Sequence, residues 1–223
     1  MHKRILATGG AGFIGSAFIK YGLKNFPWLE KIVNLDLLTY AGNEKNVASV
    51  AHDPRYVFVR GDICSQALVQ TLCEQHQIEA IINFAAETHV DRSIENPEPF
   101  IDTNIKGTFA LLEAVRRLPH IHFHHVSTDE VYGSLETGHF HEHSVYRPNS
   151  PYAASKAASD HLVRAWGHTY GLSTTISHCT NNYGPYQYQE KFIPHMLFKL
   201  IKNKQLPLYG QGVNVRDWLY VYD

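Results

Sequence analysis

The chain has 223 residues, of which 44% are hydrophobic and 18% charged, and its formal net charge at pH 7 is −1. This length suffices for one full domain with a large core, or for one domain and part of another. A near-neutral charge gives no electrostatic basis for binding nucleic acid or an anionic membrane. The first apolar run ends at Thr8, too early for a signal peptide or a membrane span, so the cytoplasm is the expected location.

Cysteine and histidine give no clear disulfide or metal pattern. The three cysteines, Cys64, Cys73 and Cys179, form no Cys-x-x-Cys motif, so we expect core thiols. Histidines alternate within residues 120–125 and again at 141 and 143. Alternate residues share a strand face, which leaves a metal site open, but no matching carboxylate or cysteine pattern accompanies them. We expect no metal and favour histidines that make polar or interface contacts.

Short β-branched runs alternate with longer helical patterns along most of the chain. The predicted strands are residues 4–8, 31–35, 56–59, 80–84, 122–126 and 173–177. The predicted helices are residues 13–25, 65–76, 97–117, 152–170 and 190–202. Near-continuous apolar strands suit a sheet covered on both faces, and the alternation indicates parallel strands with right-handed crossovers. The predicted fold is therefore α/β, with a doubly wound parallel (Rossmann) sheet.

The pattern changes after residue 180. Residues 181–186 have the composition of a turn, 206–210 resemble a short strand before another turn, and 218–221 resemble a further strand. We therefore predict one domain over 1–180 and the beginning of a smaller region over 181–223. The chain ends directly after the last strand-like run, which we interpret as a truncation.

A glycine-rich turn follows the first predicted strand. Gly9, Gly12 and Gly15 form a G-x-x-G-x-x-G pattern that opens the first helix. Glycine allows a tight turn, and the helix N-terminus presents free N–H groups and a partial positive charge to a pyrophosphate. Asp36, at the end of the second strand, suits an adenosine ribose diol and repels a 2′-phosphate. The combination predicts NAD rather than NADP, whereas a glycine triplet alone is also typical of a flexible turn.

Residues after the third and fourth predicted strands also lie where ligands of doubly wound sheets bind. These are Asp62, Ile63, Ala85 and Ala86. The Asp62 carboxylate is placed to meet the adenine, and a helix N-cap is the alternative.

Tyr152 and Lys156 are four residues apart, so on a helix their side chains share one face. A nearby ammonium favours the phenolate and lowers the pKa of tyrosine, which would make Tyr152 a base near neutral pH. Because both residue types are frequent, the spacing alone is weak, and a surface pair is the alternative. Pro151 begins a helix after a turn, and a nicotinamide cofactor is already expected, so we predict a catalytic pair.

Asp129 and Glu130 are adjacent in the stretch VSTDEVYG, directly behind the run that resembles a buried strand. Adjacent carboxylates repel each other and are unfavourable to desolvate, so the stretch is either a solvated turn or a working site. A regular strand would send the two side chains to opposite faces. We therefore predict that the backbone leaves the extended conformation here.

The motifs TGGAGFIG, YAASK and NNYGP resemble the extended short-chain dehydrogenase/reductase family, and more narrowly the dTDP-glucose 4,6-dehydratases in it. The narrower resemblance lies in DLLTYAGN (36–43), AAETHVDRSI (85–94), TNIKGT (103–108), STDEVYG (127–133), NNYGPYQ (181–187), EKFIP (190–194) and VRDWLYV (215–221). These segments extend over essentially the whole chain in the expected order.

The triplet Thr128-Asp129-Glu130 discriminates between related families. Epimerases of this family carry no acid pair there, while GDP-mannose dehydratases and UDP-glucuronate decarboxylases tend toward Thr-Ser-Glu. Plant UDP-glucose dehydratases share the triplet, and LTYAGN favours thymine over uracil. The resemblance thus implies dTDP-glucose as substrate, with UDP-glucose, an epimerase reaction or an inactive NAD-binding fragment as alternatives.

The resemblance also implies a mechanism. Tyr152, assisted by Lys156 and Thr128, would take the C4 hydroxyl proton while the C4 hydride passes to NAD. Glu130 would then remove the C5 proton, and Asp129 would protonate the departing C6 hydroxyl. Return of the hydride to C6 would leave a 4-keto-6-deoxy sugar and regenerate the cofactor.

Binding residues follow from the same resemblance. The implied NAD site is Gly9, Gly12, Phe13, Ile14, Gly15, Asp36, Leu37, Leu38, Thr39, Asp62, Ile63, Ala85, Ala86, Glu87, Thr88, Thr103, Tyr152, Lys156 and Asn182. The implied sugar-nucleotide site is His89, Thr128, Asn181, Lys191, Phe192, Pro207, Leu208, Tyr209 and Arg216.

Lys191 and Arg216 are the expected diphosphate partners, since cations and a guanidinium fork match phosphate oxygens. The alternatives are a surface lysine and an ion pair of Arg216 with Asp217. The resemblance further implies that residues 1–180 bind NAD and carry the catalytic groups, and that 181–223 are part of a sugar-nucleotide region. It also implies a homodimer through helices 97–117 and 152–170.

Overall fold

The computed structural model describes residues 1–208 and 210–223. Its central sheet has six parallel strands in the order β3–β2–β1–β4–β5–β6. The strands are β1 (Arg4–Thr8), β2 (Lys31–Asp36), β3 (Tyr56–Arg60), β4 (Ala80–Asn83), β5 (His122–Thr128) and β6 (Thr174–Cys179). The order reverses between β1 and β4, the switch point at which ligands of such sheets bind. The predicted doubly wound α/β fold is confirmed.

Helices lie between and after these strands along the chain. They are α1 (Phe13–Asn25), α2 (Gln66–Gln75), α3 (Val90–Glu95), α4 (Glu98–Phe100), α5 (Thr108–Arg117), α6 (Pro151–Tyr170) and α7 (Phe192–Ile201). A π-helical segment, Ile101–Gly107, joins α4 to α5, so the helix predicted over 97–117 is interrupted in its hydrogen-bonding pattern. Two 3₁₀ helices, Glu44–Val50 and Asp129–Tyr132, and helix α3 were not predicted. None of the described helices is both long and apolar enough to cross a membrane.

The hydrophobic core has two layers, one on each face of the sheet. Successive residues of a strand point to opposite faces, so Ile5 and Leu6 of β1 enter different layers. Ile5 packs in the layer that contains Ile19 of α1, and Leu6 in the layer that contains Leu111 of α5. Coverage of both faces explains why the strands read as near-continuous apolar runs.

A separate two-stranded parallel sheet lies beyond β6. It pairs β7 (Asn181–Tyr183) with β8 (Trp218–Tyr220). Strand β8 agrees with the strand predicted over 218–221, whereas the turn predicted over 181–186 is wrong in its first half, which is strand β7. The strand predicted over 206–210 is also wrong: residues 206–208 and 210 lie outside any strand, and Tyr209 lies outside the described residues. Strand β7 forms because of a partner 37 residues along the chain, as the Asn181–Trp218 register shows, which local composition does not reveal.

The cysteines are not all buried, and two histidines of β5 make polar contacts. Cys73 is buried, but Cys64 is exposed, so the expectation of core thiols is wrong there because Cys64 lies in the turn before α2. The rings of His122 and His124 on β5 both lie within hydrogen-bond distance of Thr175 on β6. Within the described ranges, no group of three or more His, Cys, Asp and Glu side chains is arranged to hold a metal ion.

Candidate active site

A cavity of about 530 Å³ runs along the carboxyl ends of the strands, and we call it the main cavity. Because parallel strands all end at one edge of the sheet, residues distant in sequence meet here. The glycine turn and Asp36 line one part of it, and Thr128, Tyr152 and Lys156 line another.

At two positions, the glycine turn has no room for the side chain of any other residue. Gly9 has a φ of +66°, and a Cβ atom there would lie 2.6 Å from the Ala85 backbone nitrogen. A Cβ on Gly15 would lie 2.5 Å from the Gly9 carbonyl oxygen. Gly12 is the N-cap of α1, no described side chain caps the helix there, and Phe13 and Ile14 of the first turn line the main cavity. The turn is thus shaped to take an anionic group at the helix N-terminus.

Asp36 ends β2 at the rim of the main cavity. Its carboxylate accepts backbone hydrogen bonds from Ala11 and Leu38, both at 2.8 Å. Burial raises the pKa of Asp36, and the two N–H donors oppose that rise. Leu37 and Thr39 also line the cavity, whereas Leu38, which has a left-handed backbone (φ 58°), does not. A cofactor contact of Leu38 stays a prediction.

Asp62 and Ile63 follow β3 and line the main cavity. The Asp62 side chain accepts the Cys64 backbone N–H at 2.8 Å, which closes a turn. The N-cap of α2 is Ser65, so the alternative of Asp62 as the N-cap is wrong. The remaining predicted cofactor residues also line the cavity; they are Ala85, Ala86, Glu87, Thr88, Thr103 and Asn182.

The loop after β4 is held by Asn104, which the sequence analysis did not single out. The Asn104 side chain accepts the Glu87 N–H at 2.9 Å and donates to the Glu87 carbonyl at 3.1 Å. It also donates to the Ser155 hydroxyl at 2.8 Å, on helix α6. Asn104 lies in the π-helical segment and within the TNIKGT motif, a signal that could have identified it.

The backbone leaves the extended conformation directly after Thr128, as predicted. The Thr128 hydroxyl accepts the Glu130 backbone N–H at 3.2 Å and so caps the 3₁₀ turn of residues 129–132. Glu130 lines the main cavity, but Asp129 does not, and its carboxylate lies 3.4 Å from the Thr128 hydroxyl. The turn therefore separates the two adjacent acids.

Glu130 is placed to hold a proton. Burial raises the pKa of this carboxyl, and the neighbouring Asp129 carboxylate raises it further, while Lys191 and Arg216 lower it. A carboxyl group with a raised pKa can change its protonation state nearer to neutral pH, as a general acid or base must.

Tyr152 lies in the first turn of α6, which Ser150 caps by accepting the Ala153 N–H at 3.1 Å. Burial raises the pKa of Tyr152, the Glu130 carboxylate raises it further, and the Thr128 hydroxyl lowers it. The expectation that Lys156 lowers this pKa is wrong for this structure because burial dominates. The Lys156 ammonium instead donates to the Val126 carbonyl oxygen at 2.8 Å.

Lys156 is 3% exposed. Burial lowers its pKa to about 8, and the nearby Asp160 carboxylate opposes this. The amine therefore changes its charge within two units of neutral pH, unlike an exposed lysine.

The predicted substrate residues divide into two groups. Those that line the main cavity are His89, Thr128, Asn181, Lys191 and Phe192. Pro207, Leu208 and Arg216 do not line it, because the segment that carries them is largely exposed, and Tyr209 lies outside the described residues.

The two predicted diphosphate cations differ. Lys191 donates to the Thr88 carbonyl oxygen at 3.0 Å, and burial lowers its pKa, so the alternative of a surface lysine is wrong. Arg216 is exposed and donates to the Val215 carbonyl oxygen at 2.8 Å. Its alternative, an ion pair with Asp217, is not formed among the described residues.

A further contact crosses the cavity rim and was missed by the sequence analysis. Arg92 donates to the Glu190 carboxylate at 3.1 Å, and its guanidinium lies 4.0 Å from the centre of the Tyr40 ring. Burial raises the pKa of Tyr40 to about 12, so it remains a neutral phenol. All three residues lie in motifs that carry the family resemblance, which is the signal that could have found them.

A profile of the family described as GDP-mannose 4,6 dehydratase matches residues 6–223. The chain belongs to this family. Within it, the dTDP-glucose 4,6-dehydratase of Xanthomonas campestris pv. campestris (strain B100) is 54% identical over 228 residues, 98% of this chain and 64% of that protein. The chain thus spans less than two thirds of the length of this curated relative.

Solved structures of similar proteins have the same fold. The crystal structure of dTDP-glucose 4,6-dehydratase from Bacillus anthracis in complex with NAD has a TM-score of 0.91 and 50% identity, covering 98% of this chain and 67% of that one. A UDP-glucuronic acid 4-epimerase from Bacillus cereus has the same TM-score of 0.91 at 28% identity, covering 98% and 69%. The predicted resemblance to dTDP-glucose 4,6-dehydratases is confirmed by sequence identity, since the fold does not separate the two activities.

Proposed function

We propose that the protein is an NAD-dependent 4,6-dehydratase of a nucleoside-diphosphate glucose, with dTDP-glucose as the favoured substrate. The single observation that carries the proposal is the Glu130 carboxyl beside the buried Tyr152 phenol, in the cavity that contains the glycine turn. The relatives named dTDP-glucose 4,6-dehydratase support it. Because the chain is shorter than these relatives, activity of the chain itself is part of the proposal.

The residues of the main cavity fit a dinucleotide. Gly9 and Gly15 have no room for a side chain, and the helix N-terminus at Gly12 faces the cavity, where it can bind a pyrophosphate. Asp36 lines the same cavity and offers carboxylate oxygens to a ribose. The backbone at Ala85 and Ala86 and the Thr103 side chain would bound the cofactor from β4 and the π-helical segment. NAD, when bound, supplies a hydride acceptor for C4 of the sugar and a hydride donor for C6.

Tyr152 is proposed to take the proton of the C4 hydroxyl at its phenolic oxygen. Its raised pKa means that the phenol is protonated in the free protein, so the phenolate must be stabilised in the loaded site. The Thr128 hydroxyl lies between Asp129 and Tyr152, and rotation of its O–H from the carboxylate to the phenolate would provide one such contact. The Lys156 ammonium provides the positive charge on the same helix face.

Glu130 is proposed to take the C5 proton once the 4-ketone has acidified it, and to return a proton to C5 when the hydride reaches C6. Its position in the cavity supports this role, and its raised pKa favours accepting a proton. Asp129 is proposed to protonate the departing C6 hydroxyl, which requires its side chain to turn toward the main cavity. General acid and base groups of this kind each contribute roughly 10²- to 10⁴-fold in rate.

Lys191, with His89, Asn181 and Phe192, is proposed to hold the sugar nucleotide. Lys191 is a half-buried cation close enough to Glu130 to lower the pKa of that carboxyl, which suits a diphosphate next to the reacting sugar. Contacts from 207–209 and Arg216 remain predictions of the resemblance.

We further propose that residues 1–180 bind NAD and carry the catalytic groups, and that 181–223 contribute to the sugar-nucleotide site. A homodimer through α5 and α6, with the intervening helical turns, is proposed from the resemblance, and exposed Phe109 on α5 and Tyr170 on α6 support it. A cytoplasmic location is proposed from the NAD and nucleotide-sugar chemistry.

Incubation with NAD and dTDP-glucose in D₂O tests the function. The expected product is a 4-keto-6-deoxy sugar with deuterium at C5, detected by NMR. UDP-glucose under the same conditions tests the choice of base. NAD binding without any product would support the inactive fragment, and a C4 epimer that keeps its C6 hydroxyl would support an epimerase.

Glu130→Gln is the matched variant because it keeps the size of the side chain and removes the base. C4 oxidation is expected to continue in this variant, while elimination is lost. Elimination at the full rate would show that another group is the base.

A further inference from the structure

Behind Tyr152 and Lys156 lies a buried polar cluster that the proposed mechanism does not use. Asp160 follows Lys156 by one helical turn on α6 and is 1% exposed. His125 of β5, also 1% exposed, lies between them: its Nε2 atom is 3.3 Å from Lys156 Nζ and 3.6 Å from Asp160 Oδ1. Three ionisable side chains are therefore packed together without solvent.

The two carboxylate oxygens of Asp160 have different surroundings. Oδ2 accepts hydrogen bonds from Ser127 Oγ at 2.9 Å and Tyr146 OH at 3.1 Å, and it lies 3.0 Å from His178 Nε2. Oδ1 is buried and has no hydrogen-bond partner among the described residues. A buried carboxylate oxygen without a partner is unfavourable unless a positive charge lies near it.

His125 does not supply that charge. Burial lowers its pKa well below the ordinary value, and the Lys156 ammonium lowers it further, so the ring is neutral. Its Nδ1 atom lies 3.1 Å from the side-chain amide of Asn83, which extends the buried network to β4. The positive charge on the far side of the ring belongs to Lys156.

We propose that Asp160 is a positioning residue that acts as the buried counter-ion of Lys156. It keeps Lys156 an ammonium beneath Tyr152, and through Ser127 it ties the catalytic helix to the strand that ends at Thr128. Removal of the Asp160 charge, with its shape retained, leaves a buried lysine that loses its proton at a lower pH. The catalytic meaning of this counter-ion rests on the proposed function, whereas the protonation of Lys156 does not.

Other titratable groups around Lys156 do not take this role. Tyr152 on its own helix and Cys179 on β6 both have raised pKa values through burial, so each is neutral at pH 7. His125 on β5 is neutral as well. Among these surrounding groups, the carboxylate of Asp160 is what opposes the effect of burial on Lys156 at neutral pH.

The test is an NMR titration of the Lys156 ¹³Cε resonance in ¹³C-lysine-labelled protein, with the resonance assigned by its loss in Lys156→Met. The wild type is expected to titrate near pH 8. Asp160→Asn is expected to titrate about one to two pH units lower, the effect of losing a nearby opposite charge. An unchanged midpoint in Asp160→Asn overturns the proposal, whether or not the chain is active.

Tyr146→Phe is the control for a lost hydrogen bond, because it removes one donor to the Asp160 carboxylate and retains the charge. Its Lys156 midpoint is expected to match the wild type, and a shift as large as in Asp160→Asn overturns the counter-ion role. If Asp160→Asn does not fold, the double variant Lys156→Met/Asp160→Asn is expected to recover the fold, because neither charge remains. Failure of the double variant to recover stability also overturns the proposal.

Discussion

The Lys156 ammonium donates a 2.8 Å hydrogen bond to the carbonyl oxygen of Val126, which joins helix α6 to strand β5 two residues before Thr128. The bond fixes the direction of the lysine side chain inside the protein.

The lowered pKa of Lys156 predicts a gain of stability at alkaline pH. Between its folded pKa of about 8 and its ordinary value of 10.5, the unfolded chain binds more protons than the folded one, so folding becomes more favourable as pH rises. The full contribution is about 3 kcal/mol. Lys156→Met is expected to lack it. Urea unfolding of both proteins from pH 7 to pH 10.5 measures the difference; parallel curves would contradict the pKa.

Glu130→Gln is expected to stabilise the protein at neutral pH. Because the pKa of Glu130 is raised on folding, the folded chain holds its proton more tightly, and wild-type stability falls as pH rises from the ordinary value of 4.5 through the folded pKa. The amide carries no charge and has no such loss. The melting temperatures of the wild type and Glu130→Gln should therefore differ above that pKa, by about 2–4 °C for each kcal/mol of unfolding free energy. They should converge near pH 4.

Asp129→Asn serves as the control for that measurement. Asp129 lies outside the main cavity, and its charge raises the pKa of Glu130. Removal of the Asp129 charge should therefore stabilise the protein less than Glu130→Gln does, because it only lowers the repulsion on Glu130 and leaves that carboxylate in place. A larger gain in Asp129→Asn than in Glu130→Gln would mean that the two acids have been assigned the wrong surroundings.

His125 predicts a loss of stability in weak acid. Its pKa is lowered well below the ordinary value of 6.5 by burial, so below pH 6.5 the unfolded chain binds a proton that the folded chain refuses. Wild-type stability should fall as the pH drops from 6.5 toward the folded pKa. His125→Gln is expected to be less stable at pH 8, through lost contacts, but to show a shallower acid slope in urea unfolding. Equal slopes would contradict a neutral buried His125.

Substitutions in the glycine turn should separate folding from cofactor binding. Gly9→Ala requires a left-handed backbone and brings a Cβ atom within 2.6 Å of the Ala85 nitrogen, so a loss of at least about 1–2 kcal/mol is expected. In Gly12→Ala the nearest atom to the new Cβ is the Gly9 carbonyl oxygen at 3.2 Å, which a small shift relieves. Gly12→Ala should therefore fold but bind NADH weakly. Calorimetric melting and NADH fluorescence measure the two effects; normal NADH binding by Gly12→Ala would exclude pyrophosphate contact there.

Local sequence patterns determined most of the framework. The alternation of apolar strands and amphipathic helices identified the parallel sheet, because residues buried on both faces of a strand must be apolar wherever the strand lies. The spacing of Gly9, Gly12 and Gly15 after β1 identified the dinucleotide turn, because backbone sterics allow few other residues there. These features depend on near neighbours along the chain.

Only the tertiary structure decided how the site is arranged. It separated Glu130 from Asp129, turned Lys156 toward Val126, paired β7 with β8 and placed Asp160 and His125 behind the catalytic helix. Each of these outcomes depends on burial and charge contributed by segments distant in sequence. Desolvation and Coulomb interactions act through space, so spacing along the chain carries little information about them.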